Sequence, residues 1–145
     1  MTPLFHVTRS IDIQAPPSAV WPYLASEEGL RSWLGPSLEI DLQAGGTYCL
    51  LGADEETRVT GAVLEIVPEG SLVLSWMEEG AGWVHPARLV IVLSPTSDGT
   101  RVSITHDGFA GIGKPSWRDT FRAYERGAAR HDVLARLAAL VEAVG

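Results

Sequence analysis

The chain's 145 residues are 46% apolar and include 5 Trp, which suits one folded domain over 1–145 and excludes a disordered chain. A net charge of −7, from 11 basic and 18 acidic residues with no basic stretch, argues against nucleic acid as a partner. Cys49 is the one cysteine, which excludes an intrachain disulfide; with no leader-like start and no apolar run near the ~18 residues of a membrane span, the expected place is the cytoplasm.

Phe5, Val7, Ile11 and Ile13 share one parity, against His6, Thr8, Ser10, Asp12 and Gln14 on the other. That alternation reads as a half-buried strand, with Arg9 the one polar break on its apolar side. In "APPSAVWPYLAS", two prolines suit a helix start, where the missing N–H costs nothing. Pro22 then removes a bond to Ser18, so a short or kinked helix is expected. Ser26 can cap a second short helix through about Leu34, with Glu27 and Glu28 near its start.

Six short apolar segments follow: Leu38–Leu42, Thr47–Leu51, Arg58–Val67, Ser71–Met77, Ala87–Ser94 and Thr100–Phe109. Turn signals separate them, "PTSDG" the clearest, and the pattern reads as an antiparallel meander. The Gly45-Gly46 pair leads into a strand and lacks a following Lys-Ser/Thr, so it reads as a turn and not a phosphate loop. It aims Tyr48 and Leu50 at one face. Trp117, Phe121, Tyr124 and Ala128 then recur at helical spacing, continued by Leu134, Leu137 and Val141, which predicts one long amphipathic helix. Gly127 inside it is expected to mark a kink or a close approach. One apolar sheet face needs a cover, and only this helix is long enough. The gap between them is a natural pocket.

The stretches "IDIQAPPSAVWPYLASEEGLRSWLG", "DLQAGGTYCL", "VTGAVLEIVPEGSLVLSW" and "LVIVLSPTSDGTRVSITHDGF" resemble, in order and spacing, START-like (SRPBCC) helix-grip proteins. The branch they are most similar to is that of the C-terminal domain of the activator of the ninety-kilodalton heat-shock chaperone ATPase. The resemblance covers nearly the whole chain. It implies an α+β helix-grip fold: a seven-stranded curved antiparallel sheet wrapped around a long C-terminal helix, with two short helices between strands 1 and 2 and an internal cavity. Superfamily members bind lipids, steroids, polyketides or hormones, and some are cyclases or dehydratases. Many relatives carry an aromatic such as Gly-Trp midway along the last helix, where this chain has Gly127-Ala128.

Among candidate chemical groups, His6, His85, His106 and His131 have no metal spacing to one another, so no metal or cofactor is expected. His106 shares the covered parity of Val102 and Ile104 and could exchange a proton with a bound molecule; a hydrogen-bonded structural histidine is the plainer reading. Asp107 lies on the opposite parity, which argues against an Asp–His pair. Cys49 reads as a small half-buried hydrophobe. Arg58 and Arg88 read as solvated, with entry into the cavity as an anion partner the alternative, and Glu78 and Glu79 belong to a stretch that could rim a pocket. Trp33, Tyr48, Trp76, His106, Phe109, Phe121 and Tyr124 are the expected lining of a hydrophobic ligand site. A co-chaperone-like module is the second reading, set back by the want of a counterpart to the named activator's extra N-terminal domain. A cyclase, dehydratase or hydrolase is the third, needing an acid–base pair around His106. A homodimer is left open.

Overall fold

A computed structural model describes residues 5–52, 54–130 and 132–144; His131 lies outside the described residues. The elements run β1 (Val7–Ile13), α1 (Pro17–Val20), α2 (Glu27–Arg31), β2 (Glu39–Ile40), β3 (Thr47–Leu51), β4 (Arg58–Val67), β5 (Ser71–Glu78), β6 (Ala87–Pro95), β7 (Thr100–Asp107), α3 (Trp117–Arg130) and α4 (Val133–Val144). All seven strands form one curved antiparallel sheet in the order β1-β7-β6-β5-β4-β3-β2. The α+β helix-grip architecture is therefore as expected.

Local chemistry sets the early elements. Pro22 ends α1 at Val20, and the chain continues as a 3-10 turn over Trp21–Tyr23. The Ser26 hydroxyl accepts from the Gly29 amide at 2.9 Å and caps α2. Val20, Leu24, Leu30, Trp33 and Leu38 from this region are fully buried and close one end of the core.

The Gly45-Gly46 turn joins β2 to β3. Gly45 takes φ +84°, and a Cβ on Gly46 would stand 2.1 Å from the Asp41 carbonyl oxygen. The Gly45 amide donates to Val63, and the Val63 amide donates back to Gly46, so the turn is also pinned to β4. Tyr48 and Leu50 beyond it both point inward and are buried.

A second glycine shapes the middle of the sheet. Tyr48 sits opposite Gly61 in the β3–β4 register. Its ring crosses Gly61, and its hydroxyl donates to the Ser75 carbonyl at 2.5 Å. The Ser75 hydroxyl accepts from the Ala62 amide at 2.8 Å. These two bonds stand in where the β4–β5 ladder is broken. A further irregularity falls between Val63 and Glu65 and bends the same pair.

The long C-terminal helical cover is as expected and runs as two stretches. α3 ends at Arg130 and α4 begins at Val133. Asp132 caps α4, its Oδ1 accepting from the Ala135 amide at 3.0 Å. Gly127 marks neither a break nor a close approach: α3 continues through it, and an added Cβ would meet nothing within 4 Å. Leu134, Leu137, Ala138 and Val141 form the buried stripe of α4 and belong to one apolar core with Leu72, Leu74, Leu89, Ile91 and Val102 of the sheet.

Gly61→Ala is expected to lower stability by about 2 kcal/mol or more, because its Cβ would fall 2.1 Å from the Ser75 carbonyl oxygen. A urea midpoint equal to that of the parent chain would show that the strands can part there at no cost.

Candidate functional site

Between the sheet and the two C-terminal helices lies a cavity of about 540 Å³. Strand period two decides who faces it. Val7 and Arg9 of β1, Ile104 and His106 of β7, Leu89 of β6, and Trp76 and Glu78 of β5 share its wall. Leu50 and Leu51 of β3 and Val59 of β4 continue it. The helices contribute Ala123, Tyr124, Gly127, Ala128, Val133 and Leu134, while Asp54, Thr57 and Asp132 stand at its mouth. Gly127 and Ala128 line the cavity with little bulk on the helix side.

Polar groups on this wall are few and mostly spoken for. Trp76 Nε1 donates to the Tyr124 hydroxyl at 2.8 Å, and that hydroxyl donates to Glu78 Oε2 at 2.5 Å. Burial first, then the bond to Glu78, pushes the Tyr124 phenol upward, so it stays a donor. The relay ties β5 to α3 across the cavity.

His106 is caged by rings. Trp76 lies edge-on at 4.7 Å between centroids, Tyr124 at 5.2 Å and Phe109 at 5.8 Å. The residue is half-buried, but its Nε2 is shielded and has no hydrogen-bond partner. Desolvation lowers its pKa to about 4, against a weaker upward pull from Asp107. The imidazole is therefore neutral at neutral pH. Asp107 does not orient it: both Asp107 oxygens accept from Arg88, at 3.0 and 2.7 Å, on the other face of β7.

Of the seven residues expected to line the site, Trp76, His106 and Tyr124 reach the wall together. Phe109 is fully buried behind His106 and Tyr124, and Phe121 behind Phe109 at 5.8 Å. Tyr48 is tied down over Gly61, 6.5 Å from Trp76. Trp33 lies away from the cavity, its Nε1 donating to the Tyr23 carbonyl at 3.0 Å. Arg58 and Arg88 stay outside, paired with Glu79 and Asp107. Cys49 is half-buried on β3 beside Glu39. Arg9 and Ala128 are wall residues that the sequence pattern did not assign to the site, while Glu78, expected on a stretch that could rim a pocket, lies on its wall. For Arg9 and Ala128, parity and helical spacing were the available signals.

Among the described residues no cluster of His, Cys, Asp and Glu could hold a metal ion, and no helix is long and apolar enough to cross a membrane.

Residues 14–142 match the protein family described as Activator of Hsp90 ATPase homolog 1-like protein. No curated protein matches the chain. Among solved structures, MLL2253 from Mesorhizobium loti is 20% identical with a TM-score of 0.78, covering 97% of this chain and 98% of that one. DynU16, a protein of the dynemicin biosynthetic locus, is 18% identical with a TM-score of 0.76, covering 97% of this chain and 48% of that one. The Aha1 dimer from Colwellia psychrerythraea is 15% identical with a TM-score of 0.67, covering 90% of this chain and 92% of that one. At these identities the likeness is one of fold.

Two outcomes follow from the ring cage. Tyr124→Phe leaves Trp76 Nε1 without its acceptor and is expected to cost roughly 1–3 kcal/mol by urea unfolding; no loss would show that Trp76 and Glu78 find other partners. His106 takes its proton near pH 6.5 when unfolded but near 4 when folded. The unfolded state binds more protons between those values, so this stability is full above pH 6.5 and is lost as the pH falls to about 4. His106→Phe is expected to flatten that fall in thermal unfolding; a parallel loss in both proteins would place its source elsewhere.

Proposed function

The chain belongs to the Activator of Hsp90 ATPase homolog 1-like family, and from that premise we propose that it binds a small hydrophobic molecule between the sheet and α3–α4. The observation that carries this reading is the cavity itself. Its volume of about 540 Å³ lies within the range of small-molecule sites, and its walls are mostly apolar. A guest on these walls removes apolar surface from water and gains dispersion contacts with them.

In this reading the guest lies against the Trp76 ring, with Leu50, Val59, Leu89 and Ile104 supplying apolar contact. His106 contributes the face of a neutral ring to the wall, its Nε2 being shielded. Tyr124 holds Trp76 in place and closes the helix side. Phe109, Phe121 and Tyr48 act from behind the wall by fixing these rings, and Trp33 secures the end of the core. The protein would work in the cytoplasm. A homodimer, the form in which the Colwellia relative was solved, is compatible with this reading. The chaperone-directed and enzymatic readings have no comparable feature: Asp107 is committed to Arg88, which leaves His106 without an orienting carboxylate.

The test uses N-phenylnaphthylamine, a neutral apolar dye that fluoresces in dry cavities. The parent chain is expected to bind it saturably. Ala128→Trp, which fills the helix side of the cavity, is expected to weaken binding by at least about tenfold with the fold retained by circular dichroism. Absence of saturable binding to the parent chain would sink the proposal.

A further inference from the structure

Arg9 breaks the apolar parity of β1, standing between Val7 and Ile11 and opposite Ile104. It therefore faces inward, onto the cavity wall with Val7 and Ile104. Arg31, Arg58, Arg88 and Arg101 each meet a carboxylate: Glu27, Glu79, Asp107 and Asp12. Among the described residues Arg9 has no such partner.

The carboxylates of the same cavity are already engaged elsewhere. Asp54 accepts from the Glu56 and Thr57 amides and the Thr57 hydroxyl. Asp132 caps α4, and Glu78 takes the Tyr124 hydroxyl. Asp54 and Asp132 are exposed, as Arg9 is, so solvent screens their pull on it. Arg9 is the cavity's one cation among the described residues, and a guanidinium presents a planar fork of donors suited to two oxygens of one acid.

We propose that Arg9 is the charge partner of an acidic group on the guest, so that the cavity selects apolar molecules ending in a carboxylate or a similar oxyanion. This rests on the ligand reading above and adds the class of ligand to it. The apolar body lies inside against Trp76, and the acid stays at the mouth, where Arg9 is exposed enough to remain hydrated until it is met.

The experiment displaces bound N-phenylnaphthylamine with octanoate, octanol and octylammonium, which share one chain and differ in the head group. Octanoate is expected to displace the dye at a concentration about tenfold below octanol, the scale of one charge-assisted bond. Arg9→Met is expected to bring octanoate level with octanol, each read against the variant's own dye affinity, with the fold retained by circular dichroism. Arg9→Lys retains part of the preference, and Arg126→Met, outside the cavity, retains all of it. Equal displacement by octanoate and octanol, displacement by none of the three, or a preference for octylammonium each overturns the proposal while dye binding keeps the ligand reading. A parent chain that does not bind the dye overturns both.

Discussion

A single antiparallel sheet with one apolar face leaves that face in water unless another element lies on it. Among the described residues α3 and α4 are the elements long enough, and the sheet curves to meet them. Curvature comes from the irregular β4–β5 pairing, where Tyr48 reaches across Gly61 to a carbonyl the ladder does not use. Leu134, Leu137 and Val141 fill one end, the Phe5–Phe121–Phe109 rings another, and the cavity is what remains. The empty volume is thus a product of the same constraint that makes the core.

The polar groups inside obey a second constraint, since a buried donor or acceptor without a partner is costly. Trp76, Tyr124 and Glu78 satisfy one another and join sheet to helix. Among the described residues His106 Nε2 and Trp83 Nε1 are buried without a partner, and Arg9, although exposed, has no carboxylate partner on the cavity wall. His106 and Arg9 stand on adjacent strands, His106 opposite Val7 and Arg9 two residues farther along β1. Groups left unsatisfied in an otherwise well-paired interior are where a bound molecule has something to gain.

Much of this was legible from the sequence. Thr47–Leu51 and Arg58–Val67 stand as the alternation placed them, and the Ser26 cap and the Gly45-Gly46 turn form as their chemistry requires. The boundary between α3 and α4 was not, although its signal was present. Asp132 stands three residues before Ala135, as a cap does, but the apolar spacing runs through it from Tyr124 to Leu134 and suggests continuity. The site was legible by face and not by depth. Parity places Trp76 and Tyr48 inward, yet it cannot separate a ring on the cavity wall from one packed beneath it. Phe109 and Phe121 share that ambiguity. Arg9 showed in the pattern only as an interruption, because a charged residue on an apolar face has no meaning until the space in front of it is known.

The position of Trp76 also determines how the protein can be observed. Of its five indoles, Trp76 is the one among the described residues on the cavity wall, with its ring nitrogen held by Tyr124 and His106 edge-on beside it. Any occupant changes the polarity and quenching around that single chromophore. The other indoles are packed in the core or set on its periphery, and they supply a constant background. The unlabelled protein therefore carries an optical gauge of its own interior, and its emission reports occupancy before any occupant has been identified.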